Sequence, residues 1–281
     1  MAYVDLHVHS NASDGTLTPS RVVRLASEAG LASIALTDHD TTAGVPEGIR
    51  AGLEWGVEVI PGIEVSSSYE GVEIHILGLF IDPANPSLLS TLERFRESRN
   101  RRNEEILHRL DEKGIHLTRE ELLGDNPKTV ITRAHIAKAL LDRGYASSRQ
   151  QVFKTYLKYG GPFCPPKELL PPEEVVSALM AAQGFVALAH PFLYGLGDKK
   201  TEALITYLAN LGMKGLEVYH SSHNQLESQK LRQIASRLHL LPTGGSDFHG
   251  ENKPDISIGT GRGGLRISSL LLEDIKKLCN S

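Results

Sequence analysis

The 281-residue sequence predicts an α/β fold, with strands and helices alternating around a largely parallel sheet. Three observations carry that reading. Short apolar β runs are each followed by a helical stretch from the first residues onward, which is the rhythm of βαβ units. The rhythm breaks between Pro86 and about Tyr159, where the pattern is mostly helical, and then returns. Outside that break there are roughly seven or eight β runs, enough to close a barrel.

Ala2 to Val8 is the first β run. Thr18 and Pro19 supply the N-cap and first position of a helix through Ala29, because proline's fixed φ suits a first turn and its missing N–H costs nothing there; Gly30 closes it. A buried strand at Ser33 to Thr37 follows, then a helix from Pro46 to Trp55 with Gly56 after it. Val57 to Ile60, Ile63 to Ser67 and Val72 to Phe80 are three further β-like segments. In the insertion, the strongly charged Leu92 to Lys113 and the shorter Arg119 to Leu123 and Arg133 to Leu141 read as helices. Gly160-Gly161-Pro162 and the pairs Pro165-Pro166 and Pro171-Pro172 favour extended or turning backbone and mark its close. Helices at Glu173 to Ala182, Glu202 to Leu211 and Gln225 to Leu238 then lead to strands at Phe185 to Ala189, Gly215 to Tyr219 and Leu240 to Gly244. The expected division is a first barrel part over residues 1–87, a helical insertion over 88–164 and a second barrel part over 165–281.

A chain of this length buries a substantial core without staples. Cys164 and Cys279 are far apart and outside any C-x-x-C pattern, which argues against a disulfide framework or thiolate zinc site and suits a reducing cytoplasm. No basic N-terminal region precedes an apolar run, and no stretch of about eighteen uncharged apolar residues occurs, so neither secretion nor membrane spanning is expected. With a net charge of −4, contact with nucleic acid would need a local basic patch. Histidine is the unusual component, with twelve copies.

Their positions are informative. Asp5-Leu6-His7-Val8-His9-Ser10 ends the first strand, where side chains two apart share a face, so His7 and His9 could bind one metal; alternatively one caps the strand and the other is exposed. Asp14, in the polar loop that follows, is a ligand or a turn former. Thr37-Asp38-His39-Asp40 comes directly after the second strand, at the kind of strand end where barrels place active sites, though an Asx-type turn would use the same residues. Glu64 in Gly62-Ile63-Glu64 would by itself be an ordinary carboxylate, and His75 by itself a satisfied core histidine. His190 closes the almost wholly apolar Ala187-Leu188-Ala189 and must find a defined partner. Asp247 and His249, in Gly244-Gly245-Ser246-Asp247-Phe248-His249-Gly250, lie among glycines that allow close approach. Singly each motif is weak; together they put His, Asp or Glu after nearly every expected strand.

As a set, H-x-H, T-D-H-D, G-x-E, I-H-x-L-G, A-H-P and S-D-F-H resemble the motifs of the polymerase and histidinol phosphatase (PHP) family along the whole chain. Thr132-Arg133-Ala134-His135-Ile136-Ala137 and Tyr156-Leu157-Lys158-Tyr159-Gly160-Gly161 are similar to its stand-alone bacterial branch, which contains nucleotide 3′,5′-bisphosphate 3′-phosphatases and enzymes that trim short 5′-phosphorylated RNA. The resemblance implies a distorted (β/α)7 barrel with the insertion as a helical lid. It also implies that His7, His9, Glu64 and Asp247 surround one cation, that Glu64 bridges to a second held by His75 and His190, and that Asp14, His39 and His249 surround a third. All nine positions carry competent ligands, although some relatives have histidine at the position of Asp14. Two or three divalent cations are therefore expected, and imidazole with carboxylate suits Mn²⁺, Fe²⁺ or Zn²⁺. Glu64 would be catalytic by bridging cations that share and activate a water.

For substrate contacts, Arg133 and His135 share one short helical segment and Lys158 lies beside the Gly160-Gly161 turn. The run Arg94, Arg96, Arg99, Arg101 and Arg102 reads as a solvated helix surface with one or two members free to face a 5′-phosphate. By resemblance, His223 would contact substrate or protonate the leaving group, with His220 nearby. His108, His116 and His239 read as structural or exposed. The expected reaction is hydrolysis of the 3′-phosphate of a nucleotide 3′,5′-bisphosphate, with no membrane or obligate protein partner. Alternatives are 5′-to-3′ trimming of short 5′-phosphorylated RNA, histidinol phosphate hydrolysis, and a non-catalytic metal-binding or polymerase-accessory module; the intact ligand set disfavours the last.

Overall fold

A computed structural model of the protein describes residues 2–123, 130–158, 160–166 and 168–279. Tyr159, where the sequence pattern ends the insertion, lies outside the described residues.

Strand β1 (Tyr3–Val8) is followed by α1 (Pro19–Glu28), whose N-cap Thr18 accepts from the Arg21 N–H, an interaction worth about 1 kcal/mol. Then come β2 (Leu31–Leu36), α2 (Val45–Trp55), β3 (Glu58–Tyr69) and β4 (Val72–Leu79). Val57 to Ile60 and Ile63 to Ser67, expected as separate segments, are largely parts of the single strand β3. Pro61 does not break it, because that residue stands where β3 stops pairing with β2 and starts pairing with β4, beginning at Gly62.

The inserted helices are α3 (Pro86–Asp111), α4 (Arg119–Leu123), α5 (Arg133–Asp142) and α6 (Arg149–Thr155), the last not expected from the sequence pattern. They have an apolar cluster of their own, including Ile106, Leu110, Ile136, Leu140, Val152 and Leu157. The alternation resumes with α7 (Pro172–Ala181), β5 (Phe185–Leu188), α8 (Asp198–Asn210), β6 (Gly215–His220), α9 (Gln225–Arg237) and β7 (Leu241–Gly245). It ends with β8 (Ile267–Ser268) and α10 (Ser269–Cys279), also unanticipated.

The eight strands form one sheet in the order β7-β6-β5-β4-β3-β2-β1-β8. Pairing is parallel except where β3 meets β4, β4 meets β5 and β1 meets β8. The barrel nearly closes beyond β7, where the Asp247 N–H donates to the His7 carbonyl (2.8 Å) and the His9 N–H to the Phe248 carbonyl (3.0 Å). Gly245 makes that approach possible, since a Cβ there would lie 2.1 Å from the His7 Cβ.

Strand alternation sorts the core into layers. Leu77, Leu79, Phe185 and Ala187 belong to an inner cluster with Val4, Leu6 and, from α10, Leu272 and Ile275. Their immediate neighbours Ile76, Val186 and Leu188 join the outer cluster under α7, α8 and α9. Glu64 and His75 have the parity of the inner cluster, so the strands that build the core also aim the polar groups at the barrel mouth.

Candidate active site

Three strand ends turn sharply into the mouth. Asp40, His190 and Asp247 have φ of 53°, 24° and 59°, left-handed values that cost a non-glycine residue roughly 1 kcal/mol or more each and persist only where the surroundings fix them. Part of that fixing comes from carboxylates. Asp38 accepts from the Ser10 N–H (2.8 Å) and the Ser10 and Ser13 hydroxyls, tying the loop after β1 to the end of β2. Asp5 accepts from the N–H groups of Ser246 (2.8 Å) and Gly259 (2.7 Å) beneath the cluster.

Glu64 lies at the centre and is fully buried. Its Oε1 is 2.9 Å from both His75 Nδ1 and His190 Nε2, and its Oε2 lies 3.1 Å from His39 Nδ1, 3.2 Å from His9 Nε2 and 3.3 Å from His7 Nε2. Asp247 Oδ1 is 3.4 Å from His9 Nε2 and 3.7 Å from His7 Nε2. Asp14 Oδ1 is 3.1 Å from His249 Nε2 and 3.8 Å from His39 Nε2. All nine residues singled out as ligands from the sequence thus converge on one pocket, from positions up to the two ends of the chain.

Burial would push the Glu64 carboxyl up, but His39, His75 and His7 around it prevail and hold it well below the usual carboxylate range. The imidazoles diverge. Burial pushes His39 down to about 3 and His190 to about 4, whereas for His9 and His75 carboxylate contacts outweigh burial and raise them to about 9 and about 10. Among the described residues His7 Nε2, both ring nitrogens of His9, His75 Nδ1, His220 Nε2, Asp14 Oδ1 and Glu64 Oε2 are buried and, although most lie within ion-pair distance of an opposite charge, none is in an aligned hydrogen bond. Borderline-soft divalent cations accept lone pairs from imidazole and carboxylate together, so this donor set fits them. Ligand atoms fall within 4.8 Å of one another in the groups His9–Asp14–His39–His249, His7–Glu64–His190 and His39–Glu64–His75.

Several contributors escape sequence reasoning. Glu217, on the inner face of β6, has Oε1 2.9 Å from His7 Nδ1 and Oε2 accepting from the His190 N–H at 2.7 Å. The Tyr194 hydroxyl donates to the Ala189 carbonyl (2.7 Å) and accepts from the His75 N–H (2.9 Å). Lys253 pairs with Asp247. No short motif marks these residues, since each is defined by a partner far away in sequence.

Opposite the cluster stands a cationic wall of Arg99, Arg102, Arg133 and Arg149, lining the cleft with Asp14, His39 and His75. Arg99 and Arg102 are buried, Arg99 in an ion pair with Asp40, so these two members of the basic run are not solvated surface. A signal was available: they continue the buried stripe Leu88, Leu92, Phe95 to Ile106 and Leu110 at helical spacing. Arg94, Arg96 and Arg101 do form exposed pairs with Glu174, Glu93 and Glu168.

Arg133 lines the cleft, but His135 is turned to its own helix start, where its Nδ1 accepts from the Thr132 N–H (3.0 Å). Lys158 is exposed and is not among the residues lining the cleft. His223 faces the Val218 carbonyl through Nδ1 (3.2 Å) and lines a separate cleft with Arg232 and Arg262. No helix among the described residues is long and apolar enough to cross a membrane.

A barrel carrying such a cluster at its mouth defines a metal-dependent hydrolase, and comparison with known proteins agrees. Residues 5–162 match the PHP domain, and the chain belongs to the PHP family of metal-dependent phosphoesterases. It is 37% identical over 260 residues to a 3′,5′-nucleoside bisphosphate phosphatase of Chromobacterium violaceum, covering 91% of both chains. It is 36% identical over 249 residues to a 5′-3′ exoribonuclease of Escherichia coli, covering 87% of this chain and 84% of the relative. A solved structure classed as a metal-dependent phosphoesterase, from Bifidobacterium adolescentis, superposes with a TM-score of 0.86 at 32% identity, over 98% of this chain and 95% of that one.

Proposed function

We propose that the protein hydrolyses the 3′-phosphate of nucleoside 3′,5′-bisphosphates, giving a 5′-mononucleotide and phosphate. The observation that carries this reading is the pairing of a carboxylate–imidazole cluster with an arginine wall across one cleft. The cleft has two adjoining lobes of about 200 and 270 Å³ that share His39, Glu73, His75 and Arg133. A substrate with two phosphates uses both sides: one meets the cluster, the other the arginines. The 37%-identical relative named for this activity supports the same substrate.

In this reading His7, His9, Glu64 and Asp247 hold one divalent cation, Glu64, His75 and His190 a second, and Asp14, His39 and His249 a third. Mn²⁺, Fe²⁺ or Zn²⁺ bound there would supply Lewis acidity, acidifying a water and neutralising charge on the phosphoryl oxygens. Glu64 divides its two oxygens between neighbouring imidazole sets and so fixes their spacing. Arg133 and Arg149 bind the remote phosphate by charge-assisted hydrogen bonds, with Arg102 behind them. Residues 88–164 act as a lid between the barrel parts 1–87 and 165–281, limiting water around the substrate.

The exoribonuclease relative favours a second reading, removal of nucleotides from the 5′ end of short RNA by the same cluster. Rates on a nucleoside 3′,5′-bisphosphate and on a short 5′-phosphorylated RNA, with protein loaded with each metal in turn, separate the two. A higher kcat/KM on the bisphosphate is expected. Preference for the RNA would transfer the assignment to the second reading, and no phosphate release with any of the three metals would overturn the first.

A further inference from the structure

His220 ends β6 with its side chain fully buried, beside the metal-ligand candidates Asp247 and His7. By distance alone it is a tenth ligand, because atoms of His7, His220 and Asp247 lie within 4.8 Å of one another. We propose instead that His220 is a positioning residue, a ring locked as an Nε2–H donor that holds Asp247 in orientation and does not bind a cation. This rests on the reading of Asp247 as a ligand.

The tautomer decides the matter. The Ser222 N–H donates to His220 Nδ1 at 3.1 Å, so that nitrogen must present a lone pair. The proton of the neutral ring is then on Nε2, where a ligand would need its lone pair. A doubly protonated ring would set one N–H against another. The opposite pattern holds for His7 and His249, whose Nδ1 atoms face acceptors, Glu217 Oε1 at 2.9 Å and the Asp247 carbonyl at 2.9 Å. Those rings keep the proton on Nδ1 and offer Nε2 to the cluster, the usual arrangement for an imidazole ligand.

Asp247 shows the complementary division. Its Oδ2 faces His220 Nε2 at 3.4 Å and takes the Lys253 ammonium, while Oδ1 faces His7, His9 and His249. Lys253 anchors one oxygen, with His220 Nε2 3.4 Å from it and in no other hydrogen bond, and the other oxygen is turned to the cluster. The turn that presents the Ser222 N–H is itself held. Arg262 Nη1 donates to the Ser221 carbonyl (3.0 Å) and the Ser222 hydroxyl (3.1 Å), and the Ser221 hydroxyl donates to the Ser246 carbonyl (2.5 Å).

Two measurements test this. In Zn²⁺-loaded wild-type protein with ¹⁵N-labelled histidine, the two-bond nitrogen–proton correlations of His220 should show the Nε2–H tautomer; an Nδ1–H pattern overturns the proposal without any variant. Then Mn²⁺ binding to wild type, H220Q and H220L is followed by equilibrium dialysis, with folding checked by circular dichroism. The glutamine amide can replace the ring's Nε2–H, so H220Q should bind Mn²⁺ within about threefold of wild type, whereas H220L should weaken it by about 10–100-fold, the range for lost outer contacts, with all three reaching the same metal count at saturation. Loss of one ion in both variants would make His220 a ligand and overturn the proposal, as would unchanged affinity in both. A D247N variant keeping full metal content and affinity would instead refute the ligand reading of Asp247.

Discussion

The two sides of the cleft are built differently. The cluster side comes from strands β3 and β4 and from the ends of the other strands and the turns after them, is almost completely buried, and fixes some side chains through a second partner, as Glu217 does for His7 and the Asp247 carbonyl for His249. The arginine side comes from α3, α5 and α6, helices with their own apolar cluster, and Arg133 remains 30% exposed, 3.7 Å from Glu73. Rigid sheet ends suit chemistry that demands fixed geometry, while the insertion has a core of its own and joins the barrel's outer cluster through Leu88, Leu92 and Phe95 of α3. The Arg99–Asp40 pair ties the two together, linking α3 to the strained turn after β2.

Changes on the cluster side should be the most damaging to turnover. Glu64→Gln removes the negative charge that faces five imidazoles at once and should lower kcat by roughly 10³-fold, at the upper end for loss of one charge-stabilising group, with fewer metal ions bound per chain by elemental analysis. Equal metal content and near-normal kcat would break the contrast between the two sides. Arg99→Ala removes the cation paired with buried Asp40, which keeps the Ser66 N–H and hydroxyl among its donors, and should destabilise the fold by about 3–5 kcal/mol in a denaturant titration. A cost below about 1 kcal/mol would mean that the link is no stronger than an exposed pair.

Arg133→Ala tests recognition alone. Loss of one charge-assisted contact, about 1.5–3 kcal/mol, should raise KM by roughly 10–100-fold with kcat and metal content little changed. A fall in kcat with KM unchanged would place Arg133 with the chemistry. Arg96→Ala, in an exposed pair with Glu93, should change stability by less than about 1 kcal/mol and leave both kinetic constants alone.

The cluster was legible in sequence because several candidate ligands sit in short motifs at strand ends, His7, His9 and His190 among them, while Glu64 and His75, inside β3 and β4, were legible only as part of the motif set that resembles the PHP family. The helices with caps and closing glycines were legible for a similar reason, with α1 bounded by Thr18 and Gly30 as their chemistry requires. The strand β8, two residues long, carries too little periodic pattern to be read, and α6 and α10 were missed although the five-residue α4 was read. Lys158 and His223 were suggested by neighbouring motifs, yet one is exposed and the other lines a different cleft, because proximity in sequence does not set the direction of a side chain.

Residue type and spacing by themselves determined the alternating fold and the break for the helical insertion, since these follow from local propensity, and the nine candidate ligands were legible through the resemblance of their motifs to those of the PHP family. Only the tertiary structure brought Glu217 and His220 against the cluster and turned Arg99 and Arg102 inward. Those properties are set by hydrogen-bond partners and packing neighbours brought from elsewhere in the chain, such as Glu217 to His7, and no local pattern specifies which partner arrives.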